Sequence, residues 1–270
     1  SSRAILFDLS GNIVAKHQIH IEPYISERPG WAEQDPAVYW DAICQACQAL
    51  WADNDIDQSL IKGLGLTTQR ATLINLDAEG RVLRPAMIWL DQRRAENPPR
   101  LSLFWRAAFK LAGVSDLINS LQVEAECNWV AENQPDIWEQ TAHFLLLSGY
   151  LNWRLTDEFV DSVGAQVGYI PFDYKKRDWA APADFKWQAL AVRRDQLPDL
   201  RKPGEQLGTL SAQAAAGLGL PEGLPVIATA ADKACEVVGA GCVEPHQACL
   251  SFGTTATINT TTKKYVEVNK

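Results

Sequence analysis

The sequence predicts an α/β fold in which helices flank a mixed β-sheet. Residues 3–21, "RAILFDLSGNIVAKHQIHI", place apolar runs on both sides of the turn signal "SGN", which is typical of a β-hairpin. Residues 35–51 carry apolar side chains at helical spacing. Residues 223–241, "GLPVIATAADKACEVVGAG", pass from a strand-like apolar run into a helix. Hairpins together with a strand-to-helix connection indicate a layered fold around one mixed sheet.

The first half of the chain continues with a helix and three strands. Asp35 is the predicted N-cap of the helix, and Pro36 is its first helical residue. Residues 60–93 predict three strands. The first strand ends near Leu66, and the turn "AEG" joins the other two.

The second half is predicted to be mainly helical at first. Residues 101–160 contain one helix that ends before Pro135 and another over residues 143–156. Residues 247–262, "QACLSFGTTATINTTT", predict a strand, a turn at Gly253 and a further strand.

Composition and charge narrow the classes of function. The 270 residues are 47% hydrophobic and 21% charged, as in ordinary globular domains, and the formal net charge is −8. An acidic chain argues against nucleic acid or an anionic membrane as the main partner. No run approaches the roughly 18 apolar residues of a membrane span, and the first residues lack the pattern of a signal peptide. We therefore expect a cytoplasmic protein.

Six cysteines are scattered along the chain, and two of them form a CxxC pattern at Cys44 and Cys47. This pattern is compatible with a redox pair or half of a zinc site. It lacks a second CxxC, and both residues fall on one face of the first predicted helix. We interpret them as small apolar residues of that face.

A carboxylate, Asp232, follows the apolar run at residues 226–231, where the neighbouring residues are small. It has two interpretations. It is a general base at the end of a strand, where ligands bind in open α/β sheets, or it is the N-cap of the following helix. Spacing alone favours the N-cap.

Polar residues also follow two other predicted strands. Gln69 and Arg70 come after the strand that ends near Leu66, and Trp89 is followed closely by Asp91. Polar groups beside a flat aromatic face suit a sugar or polyol. Solvated turns are the alternative for both segments.

Gly253, Thr254 and Thr255 offer backbone N–H groups and hydroxyls in a turn that could hold phosphate. The segment lacks the P-loop pattern, and a plain hairpin turn is the local default. The four histidines show no metal-ligand spacing, and we expect no metal site among the residues present.

Six segments in order resemble the N-terminal domain of the FGGY family of carbohydrate kinases. These are "SSRAILFDLSGNIV", "PGWAEQDP", "GLGLTTQRATLINLDAEGRVLRPAMIWLDQRR", "HFLLLSGYLNWRLT", "GLPVIATAADKACEVVGAG" and "LSFGTTATI". The resemblance covers essentially the whole chain. It implies the actin-like, RNase H-like fold of a two-domain kinase, in which the first domain binds the sugar and the second binds ATP. It is also compatible with a homodimer.

The resemblance assigns roles to individual positions. Asp232 becomes the catalytic base that accepts the proton of the attacking hydroxyl, with ATP and Mg²⁺ as cofactors. Gln69, Arg70 and Trp89 fall in substrate-contacting motifs. Asp91 is also a candidate substrate-binding residue, because it lies two residues after Trp89. Phosphate contacts fall at Arg3 and at Gly253, Thr254 and Thr255.

Departures from the family pattern limit these expectations. Family members carry an Asp-x-Gly-Thr loop just before the segment that matches "SSRA". We therefore expect residues 1–250 to form the sugar-binding domain, residues 251–270 to begin the second domain, and the isolated chain to lack kinase activity. Glycerol kinases have Glu where this chain has Ala71, and the Gln-Met-His motif of xylulokinases is also missing. The motifs therefore do not single out one sugar or polyol.

Two functions from different classes remain. The leading one is ATP-dependent phosphorylation of a sugar or polyol, for which this chain supplies the substrate domain and the base. The alternative is a non-catalytic sugar-binding or regulatory module with the same fold. An oxidoreductase is disfavoured because no GxGxxG follows an N-terminal strand.

Overall fold

The computed structural model describes residues 1–252 and 256–266 and shows a mixed α/β fold. The helices are α1 (Pro36–Ala52), α2 (Leu103–Ala112), α3 (Ser115–Glu124), α4 (Glu126–Asn133), α5 (Pro135–Gln140), α6 (Leu147–Thr156), α7 (Lys186–Ala189), α8 (Ala212–Leu218) and α9 (Asp232–Gly239), with short 3-10 turns at Gln58–Leu60 and Arg194–Gln196. No helix within these described ranges has both the length and the apolar character to cross a bilayer.

The strands are short and alternate with the helices along the chain. They are β1 (Ser2–Phe7), β2 (Ile13–Ile19), β3 (Glu33–Gln34), β4 (Leu64–Gly65), β5 (Leu73–Leu76), β6 (Ala86–Met87), β7 (His143–Leu146), β8 (Val160–Ser162), β9 (Phe172–Asp173), β10 (Asp178–Trp179), β11 (Asp199–Arg201), β12 (Gln206–Thr209), β13 (Pro225–Ile227), β14 (Ala248–Phe252) and β15 (Ala256–Thr260).

Strand pairing is mixed, as the sequence predicts. An antiparallel sheet has the order β3-β6-β5-β7. A second sheet has the order β12-β13-β4, in which β13 runs antiparallel to β12 and parallel to β4. β8 pairs in parallel with β11, and the hairpins β1-β2, β9-β10 and β14-β15 are antiparallel. Within the described residues the strands are thus divided among several small sheets, because many of them are only two or three residues long.

The N-terminal hairpin and the first helix form where the sequence predicts them. β1 pairs with β2 across a turn in which Gly11 has φ of +84°, a conformation that glycine adopts without steric cost. α1 begins at Pro36, and the Asp35 carboxylate accepts the N–H of Ala37 at 2.9 Å. The predicted N-cap and first helical residue are both confirmed.

The prediction of one helix over residues 143–156 is wrong for the first four residues. His143–Leu146 forms β7, which pairs antiparallel with β5, and the helix begins only at Leu147. The run "HFLLL" is apolar throughout, so its periodicity does not separate a buried strand from a buried helix. A pairing partner some 70 residues earlier decides the outcome.

One core cluster joins both main sheets to the helices around them. Ile74 of β5 and Leu145 of β7 are fully buried with Tyr150 of α6, and the same cluster includes Leu218 of α8 and Val226 of β13. β13 is therefore anchored at its centre by hydrophobic contact. The polar residues that follow it are held at a fixed place on the domain.

The six cysteines are all free thiols in the structure. Burial raises the pKa of Cys47 to about 12 and also raises that of Cys44, with a further upward contribution from Asp41. Both thiols of the CxxC pattern therefore stay protonated near neutral pH, which is unlike a redox pair or a zinc site. Their place on α1, where Cys47 is buried, supports the apolar interpretation.

Candidate functional site

Two neighbouring parallel strands end at the same edge, and polar segments follow both. Leu64 of β4 pairs with Val226 of β13, and Gly65 pairs with Ile227. Beyond the strands, the Thr67 hydroxyl donates to the Ala230 carbonyl at 2.8 Å. Open α/β sheets bind ligands at the carboxyl ends of such strands. The two segments thus form one surface.

Asp232 lies at this surface as the first residue of α9. Its N–H donates to the Thr68 carbonyl at 2.9 Å, so the backbone of the predicted base lies beside the segment that continues into Gln69 and Arg70. The carboxylate Oδ1 accepts the N–H of Lys233 at 2.7 Å. In the part of the chain that the structure describes, no protein group hydrogen-bonds to Oδ2, which leaves that oxygen for a ligand.

The alternative prediction that Asp232 is the N-cap of α9 is wrong by one residue. Ala231 occupies the N-cap position and has no side chain that could cap the helix, whereas Asp232 is already helical. The bond from the Lys233 N–H to Oδ1 still ties the carboxylate to the first turn, where the helix dipole favours a negative charge.

Gln69 and Arg70 differ in how free their side chains are. The Gln69 amide donates to the Tyr39 hydroxyl at 3.2 Å and to Thr72 Oγ1 at 2.8 Å, which ties it to α1 and to its own loop. Arg70 is exposed. Burial raises the pKa of Tyr174, and the positive charge of Arg70 partly offsets this rise, which places the guanidinium near that ring. Arg70 therefore offers an exposed cation at the edge, and Gln69 is part of its support.

The backbone after Arg70 takes an unusual conformation. Ala71 has φ of +48°, in the left-handed region that residues other than glycine rarely adopt, and its N–H donates to the Val167 carbonyl at 3.2 Å. This contact brings the Val167 segment against the strand end. Non-glycine residues in such conformations concentrate at functional sites.

Trp89 and Asp91 follow β6 and have opposite exposures. Trp89 leaves 46% of its surface accessible, so its ring is available to a ligand. The Asp91 side chain is only 2% exposed, accepts Arg93 Nη2 at 2.7 Å and accepts the Ala32 N–H at 2.8 Å. Asp91 holds Arg93 and a loop in this structure. Direct contact between Asp91 and a substrate stays a prediction.

Arg93 is the centre of a buried cluster behind this strand. Its guanidinium lies 4.2 Å from the Trp31 ring centroid and 4.4 Å from that of Trp129, and it donates to Glu33 Oε1 at 2.8 Å. Cation–π contacts of a desolvated arginine are worth about 2 kcal/mol. This cluster fixes the loop that carries Trp89.

The structure says less about the residues predicted to contact phosphate. Arg3 is exposed on β1, where its Nε donates to Gln18 Oε1 at 3.1 Å. Gly253, Thr254 and Thr255 lie outside the described residues. Their phosphate role stays a prediction, as does that of Arg3.

Sequence reasoning missed two buried carboxylates, Asp161 and Glu126. Asp161 is 1% exposed, and burial raises its pKa to about 6 although four groups donate to it. Burial likewise raises the pKa of Glu126 to about 7, with added repulsion from Asp91 and Glu124. Asp161 stands within the apolar segment "FVDSV". A carboxylate that interrupts an apolar run is a sequence signal from which its burial could have been predicted.

A divalent metal is implied by the predicted chemistry, but the described residues do not assemble a metal cage. Across residues 1–252 and 256–266, no group of three histidine, cysteine or acidic side chains could hold a metal ion. Mg²⁺ in phosphoryl-transfer sites is usually held by one or two carboxylates together with substrate phosphates.

Comparison with known proteins gives the chain its family. Residues 1–239 match the model of the FGGY family of carbohydrate kinases, N-terminal domain. The chain is 33% identical over 252 residues to xylulose kinase of Escherichia coli K12, which covers 93% of this chain and 50% of that protein. It is 29% identical to L-fuculokinase of the same organism, over 93% of this chain and 52% of the relative.

Solved structures agree with this result. A xyloylose kinase from Brucella ovis superposes with a TM-score of 0.78 at 30% identity, over 95% of this chain and 51% of that structure. Xylulose kinase from Rhodospirillum rubrum gives 0.74 at 25% identity, over 95% and 52%. The chain thus spans about half the length of the relatives it matches and has their actin-like ATPase fold. It belongs to the FGGY family of carbohydrate kinases, as the N-terminal domain of that family.

Proposed function

We propose that the protein carrying this chain transfers the terminal phosphoryl group of ATP to a hydroxyl of a sugar or polyol. In this proposal residues 1–250 supply the substrate side of the site and the catalytic base. The observation that carries it is the 2.9 Å hydrogen bond from the Asp232 N–H to the Thr68 carbonyl. This bond holds the backbone of Asp232 against the segment that continues into Arg70, at the carboxyl ends of two parallel strands.

Asp232 is the proposed general base. Its Oδ2 accepts the proton of the acceptor hydroxyl. As this proton leaves, the hydroxyl oxygen of the acceptor bonds to the terminal phosphorus of ATP, and ADP departs. The chemistry that ATP and Mg²⁺ supply is the activated phosphoryl group and compensation of its charge. Because Oδ1 is held by Lys233, the carboxylate keeps one orientation, and such positioning makes most of the protein's contribution to phosphoryl transfer.

Substrate binding is assigned to Arg70 and Trp89. The exposed guanidinium can donate to sugar hydroxyls, and the accessible indole face can pack against the C–H face of the acceptor. Ala71 has no side chain that could accept a hydroxyl hydrogen bond. This argues against the glycerol pattern, in which the resemblance places a Glu. The xylulose kinases among the relatives make a ketopentose the first acceptor to test.

The test is a phosphorylation screen of the full-length protein. ADP release is measured with D-xylulose, L-fuculose, glycerol, gluconate and a tetritol as acceptors, with MgATP in excess. We expect one acceptor to give turnover well above the ATPase background. Binding of a sugar without turnover on any acceptor would instead support a non-catalytic sugar-binding module.

Asp232→Asn tests the base in the same assay. General-base catalysis typically contributes about 10²- to 10⁴-fold, so we expect kcat to fall by at least 10²-fold with a smaller change in KM. Asp116→Asn is the matched control, because Asp116 is also an acid in the first turn of a helix, exposed on α3. Turnover near wild type in Asp232→Asn would remove the residue from the chemistry.

A further inference from the structure

Asp161 is a fully buried carboxylate whose two oxygens receive four hydrogen bonds. Oδ1 accepts from Asn152 Nδ2 at 3.0 Å and from the Ser162 N–H at 2.7 Å. Oδ2 accepts from Ser148 Oγ and from Gln166 Nε2, both at 2.7 Å. The donors come from α6, from β8 and from the loop that follows β8. One side chain therefore fixes three parts of the chain relative to one another.

The segment that Asp161 fixes leads directly to the turn before Asp232. The Ser162 hydroxyl donates to the Thr229 carbonyl and accepts the Gly164 N–H at 3.1 Å. Gly164 forms a parallel bridge with Ala230, and its carbonyl accepts the Ala231 N–H at 3.1 Å. The three residues that precede Asp232 are thus held by Ser162 and Gly164, which lie one and three residues after Asp161.

The approach at Gly164 is too close for any larger residue. A Cβ added there would lie 2.9 Å from the Ala230 Cβ and 3.0 Å from the Thr229 carbonyl oxygen. Real side chains do not reach such distances without displacing a neighbour. A small shift of the Asp161–Gly164 segment is therefore passed on to the backbone of Ala230 and Ala231 rather than absorbed by empty space.

We propose that Asp161 is a positioning residue for Asp232, acting through Ser162 and Gly164 to set where the carboxylate of the base meets the acceptor hydroxyl. The inference rests on the proposed function, since it requires Asp232 to be the base. A carboxylate suits the task better than an amide. All four partners are donors, and an amide group would direct its own N–H toward one of them. Burial raises the pKa of Asp161 to about 6, so the group is mainly ionised at pH 7.5.

The experiment measures kcat, KM and the thermal unfolding midpoint for three variants of the full-length protein at pH 7.5, with D-xylulose or whichever panel acceptor the wild type phosphorylates. Asp161→Asn breaks the network at its centre. Ser162→Ala removes the hydroxyl that reaches Thr229 and keeps all four hydrogen bonds to Asp161, because Ser162 donates to Asp161 through its backbone N–H. This variant covers the case in which Asp161→Asn does not fold. Gln196→Ala is the control. It deletes a fully buried side chain that donates to the Thr141 carbonyl at 2.8 Å, a contact that does not lead to Asp232.

We expect Asp161→Asn and Ser162→Ala to lower kcat by about tenfold to a hundredfold, as small misplacements of catalytic groups do, with KM within about twofold. Gln196→Ala should lower the unfolding midpoint with kcat unchanged. A kcat for the two network variants equal to that of Gln196→Ala at a comparable midpoint would overturn the inference. Asp232→Asn is measured alongside. If it keeps its turnover, Asp232 is not the base and the positioning role fails with that assignment, whereas the proposed function itself fails only if the wild type turns over no acceptor of the panel. If Asp232→Asn is inactive while the network variants are fully active, only the positioning role fails.

Discussion

Arg70 is an exposed cation two residues after Thr68, whose carbonyl accepts the Asp232 N–H, and its two neighbours in sequence are both held in place. Gln69 is tied to Tyr39 and Thr72, and Ala71 is fixed in a left-handed conformation by the Val167 carbonyl. The backbone on both sides is thus held while the guanidinium itself reaches outward. The backbone of the segment therefore loses little entropy when the site binds a polar ligand, and the main entropic cost is the ordering of the Arg70 side chain itself.

Arg70→Ala is expected to weaken acceptor binding. A hydrogen bond to a charged group contributes about 1.5–3 kcal/mol, so KM for the acceptor should rise by roughly tenfold to a hundredfold while kcat changes less. Steady-state kinetics with varied acceptor concentration measure the split. Arg106→Ala, an exposed arginine on α2, is the matched control. An unchanged KM in Arg70→Ala would exclude the residue from the acceptor site.

Single residues also show what sequence can predict of the site. Asp232 and Trp89 stand directly after apolar runs, Arg70 follows such a run within four residues, and a strand end is a local signal. Asp161 and Glu126 depend on burial by elements far away in sequence, and local spacing does not encode burial. The bond from the Lys233 N–H to Asp232 and the engaged oxygens of Asp91 likewise became visible only with their neighbours in place.

At the scale of elements, local chemistry decided the outcome where it was strong. The "SGN" turn and the Asp35-Pro36 start gave the hairpin and α1 at the predicted positions. The run at residues 143–146 has no such signal, and its pairing with β5 made it a strand rather than the start of α6. Caps and turns are encoded within a few residues, whereas strand pairing is not.

The N-cap of α1 gives a prediction at this scale. Asp35→Ala removes the acceptor for the Ala37 N–H and should lower the free energy of unfolding by about 1 kcal/mol, measured by urea denaturation. Ser102→Ala is the control, because Ser102 occupies the N-cap position of α2 without making a side-chain cap. Equal losses in both variants would mean that the hydrogen bond at Asp35 adds nothing to stability.

For the whole molecule, the buried carboxylates predict how stability varies with pH. Burial and two acidic neighbours raise the pKa of Glu126 from an ordinary value of 4.5 to about 7. The folded state therefore holds a proton that the unfolded state has lost between these two values. This contribution to stability is fully present below pH 4.5 and is lost as the pH rises through about 7.

Glu126→Gln should therefore raise the unfolding midpoint at pH 8 and change it little at pH 5. The gain at pH 8 is on the order of 1–3 kcal/mol, because the variant no longer ionises a carboxylate that is buried beside Asp91 and Glu124. Midpoints of the full-length protein across pH 4–9 give the measurement. Glu139→Gln, at an exposed position on α5, controls for the loss of one negative charge. An equal rise at pH 5 and pH 8 would contradict this account.

The two strand ends at the site are joined by reciprocal threonine bonds. Thr67 donates to the Ala230 carbonyl, and Thr229 donates to the Leu66 carbonyl, so each segment holds the other by a side chain of its own. Neither end can fray by itself, since loosening one removes an acceptor and a donor from the other. In native-state hydrogen exchange, we therefore expect the loop that leads to Arg70 and the turn that precedes Asp232 to open together as one unit. Heat or denaturant would thus take both away in a single step and would not leave a half-formed site that still binds.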